Sequence, residues 1–260
     1  MPLVDPVTMS SSLTKTVKPT QASEVKDGKD SSPVVVRLRP VELQQTPASQ
    51  AARRAIPVLI AAVYLVRFSA LVADPVAWMK TTLPQIAILQ VAYVLLCLPT
   101  PGAAQKPAAN RKLRPGEKKK PEAGGSNPYV TAILSLLLSI FVTPFFYIAM
   151  VLFGAPFLSH VSHTMLCAAH LSILTLTPLF YVHGVDSSAW VAVAGFQAPL
   201  DETFGGLVGG VVGAWLGAVP IPLDWDREWQ QWPVTILCGI YGGYLLGKVV
   251  GGTLLHGKRF

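Results

Sequence analysis

Residues 204–222 read FGGLVGGVVGAWLGAVPIP, an uncharged stretch of spanning length in which Gly205, Gly209, Gly213 and Gly217 form an unbroken i, i+4 series. Beside it runs a second small-residue row, Gly206, Gly210, Ala214 and Ala218. The device recurs in 233–255, PVTILCGIYGGYLLGKVVGGTLL, as Gly239, Gly243, Gly247 and Gly251. Small residues spaced by four bring helix backbones close together, a main source of helix association in lipid. One such pair is weak evidence; two four-membered rows on consecutive spans are stronger. Two readings compete: an intramolecular hairpin, and docking against the helices of another protein. A helix has several faces, so both can hold. A phosphate loop is excluded, because no Walker pattern occurs.

Working outward, 51% of the 260 residues are hydrophobic and only 13% charged, where a soluble domain carries about 25% charged residues. Six apolar runs, 56–73, 82–99, 129–153, 157–182, 204–222 and 233–255, predict an all-α polytopic membrane protein with six crossings, the glycine-ridged helices being the fifth and sixth. Residues 1–55 are polar, with no helical apolar stripe, and read as a disordered tail without a signal peptide. Residues 100–128 form a basic, Pro/Gly-rich loop, and 256–260 a short C-terminal tail. No stretch is left for a soluble catalytic domain. Residues 188–200, SAWVAVAGFQAPL, are too short to cross and are expected to lie on the surface or re-enter.

The cations orient the spans. The tail, the basic loop and the last five residues hold 17 of the 21 Lys and Arg residues. With six crossings these segments share one side, which the positive-inside rule makes cytosolic. Both termini are therefore expected in the cytosol, and 223–232 in the lumen.

That lumenal stretch lies within PIPLDWDREWQQWP, 220–233. Trp225, Trp229 and Trp232 follow i, i+4, i+7 and would share one face of a short helix over 224–232. Asp224 would cap it, Asp226 would sit near its positive end, and Arg227 would pair locally or with lipid phosphate. The segment reads as an aromatic anchor at the membrane surface, where Trp is favoured. Catalysis by Asp224 and Asp226 is the weaker account. Phosphoryl transfer needs an activated nucleophile and a shaped site, and no Ser, Thr or His is near.

The fourth span carries His160, His163, Cys167 and His170 at i, i+3, i+7, i+10, with Thr177 extending the stripe. Ionisable groups inside a bilayer are candidates for function. A hydrogen-bonding seam towards another helix fits best; a lipid or substrate contact and a metal or proton site are the alternatives. His163 and His170 stand two turns apart, about 10 Å, too far for one ion, so no metal or other cofactor is expected. Arg67 is read as buried within the first span and in need of a partner, and Lys248 as snorkelling. Cys97, Cys167 and Cys238 have no CxxC spacing and read as buried thiols.

The segment GAWLGAVPIPLDWDREWQQWP, 213–233, closely resembles the signature of the PIG-F family of glycosylphosphatidylinositol (GPI) anchor biosynthesis, and HLSILTLTPLFYVHG, 170–184, resembles a looser family stretch. The likeness covers about 130–255, with Glu228 where a Pro is expected and Val219 where an aromatic residue is. It implies residence in the endoplasmic reticulum and a noncatalytic subunit that stabilises large multi-pass ethanolamine phosphate transferases acting on GPI mannoses. Membrane lipids are expected partners, with the GPI precursor or phosphatidylethanolamine as candidates; nucleic acid is not an expected partner. The alternatives are a lipid-presenting subunit built on the polar fourth span and Arg67, or a head-group transferase.

Overall fold

Three of the long helices open on a short polar residue followed by proline. In the structure, a computed structural model describing residues 38–99, 127–223 and 225–259, Thr46 caps α1 (Pro47–Val66), Asp74 caps α3 (Pro75–Cys97) and Asn127 caps α4 (Pro128–Leu152). Each side-chain oxygen accepts from a first-turn N–H, and proline at the first helical position sacrifices no intrahelical bond. The remaining elements are α2 (Phe68–Ala73), α5 (Val161–His183), α6 (Ser187–Ala194), α7 (Glu202–Gly217), a 3-10 turn at Glu228–Gln230 and α8 (Val234–Gly252).

The protein is all-helical over the described residues, and five helices (α1, α3, α4, α5 and α8) are long and apolar enough to cross a membrane. The sixth member, α7, has 16 residues, about 24 Å at 1.5 Å per residue, and runs antiparallel to α8 for its whole length. At the centre stands α5, with 78% of its apolar length buried against 17% for α4. It packs on α3, α4, α7 and α8, while α1 covers α3 and α8.

Several boundaries differ from the sequence expectation. The first helix starts at Pro47 rather than 56 and stops at Arg67, where α2 begins as a separate turn. The second long helix starts at Pro75 rather than 82. Both early starts follow from the cap-proline pairs, which hydropathy alone overlooks. The fifth expected span ends at Gly217, not 222, because Pro220 and Pro222 cannot continue a helix. In the 188–200 region, α6 is eight residues long, too short to cross, and Trp190 fastens it by packing its ring at a tilt against Phe180 and donating to the Gly184 carbonyl at 2.9 Å.

Part of the expected tail is also ordered. Val41 is buried and its N–H donates to Asp201 Oδ2 at 3.0 Å, while Gln44 donates from its backbone to Cys97 O at 2.9 Å and from its side chain to Leu98 O at 2.6 Å. Residues 38–46 therefore strap the end of the bundle that carries the C-terminus, where Arg259 also donates to Leu38 O. Residues 1–37, the basic loop over 100–126, Asp224 and Phe260 lie outside the described residues.

Candidate functional site

The two glycine rows meet each other. A Cβ placed on Gly213 would strike the Gly239 carbonyl and lie 2.9 Å from the Gly243 Cα; one on Gly247 would lie 2.7 Å from the Gly209 Cα. Gly205 faces Gly247 and Gly251, and Gly217 faces Thr235 and Ile236. Helices α7 and α8 thus touch backbone to backbone along the whole ridge, the hairpin arrangement. The second row turns elsewhere: Gly206 seats the Tyr244 ring, and Gly210 seats Thr175 and Leu171 of α5.

At the strapped end of this hairpin lies a charged knot. Asp201 caps α7 by accepting from Thr203 and Phe204 N–H groups as well as from Val41. Next to it, Glu202 is ion-paired to Arg53 of α1, accepts from the Tyr93 hydroxyl of α3 at 3.0 Å and lies 3.9 Å from Lys248 Nζ of α8. One carboxylate therefore ties four helices. Lys248 does not snorkel: its side chain is 4% exposed, and its ammonium lies 3.0 Å from the centre of the Tyr93 ring, a cation–π contact. Gly252 leaves room for the Glu202 stem. Sequence reading missed this group. The available signal was an ionisable residue, Glu202, at the mouth of an apolar run.

The opposite end carries the tryptophan loop, which is not the expected short helix. Asp226 adopts a left-handed conformation (φ 49°), Arg227 is extended, and helical geometry is confined to the 3-10 turn. Gln230 holds the loop, donating to Pro220 O at 2.8 Å and to Leu223 O. Trp225 and Trp229 pair with ring centres 5.8 Å apart and are exposed together with Asp226, Arg227 and Glu228. Trp232 instead packs against the core, its indole N–H buried without a partner among the described residues, and precedes a cis bond to Pro233.

The histidine stripe divides. His160 precedes α5 in a left-handed conformation and is exposed, with its ring 5.0 Å from His163. Among the described residues no group of three His, Cys, Asp or Glu side chains converges. His170 is fully buried; Nδ1 lies 2.8 Å from the Tyr241 hydroxyl of α8, and Nε2 lies 3.1 Å from Met79 O of α3. Farther along, Ser172 donates to Ser139 O and Thr177 to the Ser139 hydroxyl at 3.1 Å, stitching α5 to α4. The inner half of the stripe is thus a hydrogen-bonded seam. His170→Leu would strand the buried Tyr241 hydroxyl, and the expected loss is about 1–3 kcal/mol. His163→Leu should leave thermal unfolding nearly unchanged, so equal shifts from the two variants would contradict this assignment.

Arg67 is not deep in a span. It sits at the α1–α2 break and donates to the Thr81 hydroxyl at 3.2 Å. Cys97 and Cys167 are buried as expected; Cys238 is exposed, with its sulfur 2.5 Å from the hydroxyl of Tyr64 of α1.

A helical bundle with apolar crossings, a backbone-to-backbone terminal hairpin and a buried polar seam defines a polytopic membrane protein. The chain belongs to the GPI biosynthesis protein family Pig-F, which matches residues 55–252. It is 62% identical to glycosylphosphatidylinositol anchor biosynthesis protein 11 of Neurospora crassa over the full length of both chains. The protein of the same name from Pyricularia oryzae is 51% identical, across 98% of this chain and 97% of the relative. The GPI ethanolamine phosphate transferase, stabilizing subunit, of Homo sapiens is 34% identical over 135 residues, covering 50% of this chain and 62% of that one. No solved structure matches.

Proposed function

We propose that the chain is a noncatalytic subunit of GPI-anchor biosynthesis that stabilises the large multi-pass ethanolamine phosphate transferases in the endoplasmic reticulum membrane, with both termini cytosolic. The likeness to the human stabilizing subunit, within a shared family, is the observation that carries this reading. The geometry adds a division of labour. Because Gly205, Gly209, Gly213 and Gly217 are occupied by α8, the ridges serve docking by holding the hairpin rigid. Transferase helices then meet other faces, such as the outer side of α4, where Ile133, Leu137 and Phe141 are exposed. The exposed tryptophans anchor the lumenal ends of α7 and α8. His160, His163 and Arg67 sit where lipid head groups, including those of the GPI precursor or phosphatidylethanolamine, are within reach.

Gentle purification of the tagged chain, followed by identification of the bound polypeptides, should recover an ethanolamine phosphate transferase, and removing the chain should lower that transferase's abundance. Recovery of no transferase together with unchanged abundance would refute the proposal. Asp224→Asn combined with Asp226→Asn should leave both assembly and ethanolamine phosphate transfer intact. Lost transfer in a complex that still assembles would favour a catalytic role instead.

A further inference from the structure

Towards the tryptophan-loop end, α4 and α7 diverge and leave a lateral cleft of about 740 Å³. Met150 and Phe153 form one wall and Val211, Ala214 and Ala218 the other, with Leu171 of the central helix as floor. No charged side chain lines it, and its polar side-chain groups are the indoles of Trp215 and Trp232, so it is suited to hydrocarbon. The size agrees with a small-ligand site, about 300–1,000 Å³. A lipid chain and a crossing helix are the two occupants to weigh for an open apolar cleft of this kind.

Shape decides further between the two occupants. Towards the strapped end, Val142 and Phe146 of α4 and Val208 of α7 close on one buried cluster around Leu179 and Phe204. At the other end the turns after α4 and α7 contribute Pro156 and Pro222 to the lining. A helix would have to pass out through both ends, whereas a flexible chain can enter sideways and terminate inside. The mouth is flanked by Phe153 and Trp215, 83% and 63% exposed.

The geometry points to one acyl chain of a bilayer phospholipid as the resident of this cleft, with its head group under the loop that carries Trp232. The exposed charges of that loop, Asp226, Arg227 and Glu228, include both signs, which suits a zwitterionic head group better than an anionic one. This site lies outside the polar α5 stripe and does not depend on which transferase the subunit serves.

The test uses the full chain in phosphatidylcholine nanodiscs doped with phosphatidylcholine that bears a photoactivatable acyl chain. Irradiation and peptide mapping should concentrate label on 146–156 and 211–222, above 130–141, where Ile133, Leu137 and Phe141 are exposed. Ala218→Phe, at the exposed edge, and Ala214→Phe, deeper in, should each lower cleft labelling about tenfold without changing label on 130–141. Ala218→Phe keeps the test valid if the deeper variant fails to fold. Equal labelling of cleft and outer face, cleft labelling that survives Ala218→Phe, or stronger cleft labelling by a phosphatidylglycerol analogue would overturn the proposal. So would crosslinks from the cleft to a transferase helix in the purified complex in place of lipid.

Discussion

Gly213→Ala is expected to destabilise the protein by about 3 kcal/mol, the upper part of the range for overpacking, although it adds one methyl group. The new carbon would meet the Gly239 carbonyl and the Gly243 Cα. These are backbone atoms within a helix, which cannot step aside as a side chain can, so α7 and α8 must separate along the whole ridge. The internal control is Gly242→Ala, one position from the ridge, where nothing lies within 4 Å of the added carbon. There the better helix propensity of alanine should leave stability unchanged or raise it by up to about 1 kcal/mol. Thermal unfolding of the two purified variants compares the same chemical change at inward and outward positions. If Gly213→Ala melts with the wild type, the backbone contact is not what holds the hairpin. In cells, the same variant should lower the amount of transferase recovered with the chain.

Glu202→Gln should cost about 3–5 kcal/mol, the range for breaking a buried ion pair and leaving one charge uncompensated. Glu202 is 7% exposed, and without its charge Lys248, 4% exposed, keeps the Tyr93 ring but loses its carboxylate neighbour. Arg53 is better placed, since 39% of its side chain remains exposed. Lys248→Met alone should be close to neutral, because it removes an ammonium that makes no hydrogen bond among the described residues and leaves the Arg53–Glu202 pair intact. Combining the two should recover most of the loss, since the stranded charge is gone. Additive losses in the double variant would mean that Lys248 and Glu202 are not energetically coupled.

The ridges were legible because their information is local. Four glycines at a spacing of four declare a face whatever packs on it, and hydropathy alone locates the crossings. Helix starts needed a different signal, Thr46-Pro47 and Asp74-Pro75, which lies in capping chemistry rather than in hydrophobicity. The tryptophan loop shows the converse failure. A spacing of i, i+4, i+7 is compatible with a helix but does not require one, and the left-handed Asp226 breaks the pattern. The knot at Glu202 left one trace in the sequence, an ionisable residue at the mouth of an apolar run. Its partners Arg53 and Tyr93 lie on other helices, 149 and 109 positions away, and Arg53 looked like part of a polar tail. His170 fell between these cases: the stripe was visible, but its partition into an exposed pair and a buried bond to Tyr241 depends on neighbours that periodicity cannot name.

The strap over 38–46 has a consequence for how the chain is made. A ribosome delivers α1 long before α7, yet the carboxylates that receive Val41 and Arg53 belong to Asp201 and Glu202. Until the final hairpin emerges, Arg53 lacks the Glu202 carboxylate and Val41 lacks Asp201, and the strap is held to α3 by the Gln44 bonds to Cys97 and Leu98. The strap is therefore fastened late, by two neighbouring acids at the mouth of the terminal hairpin.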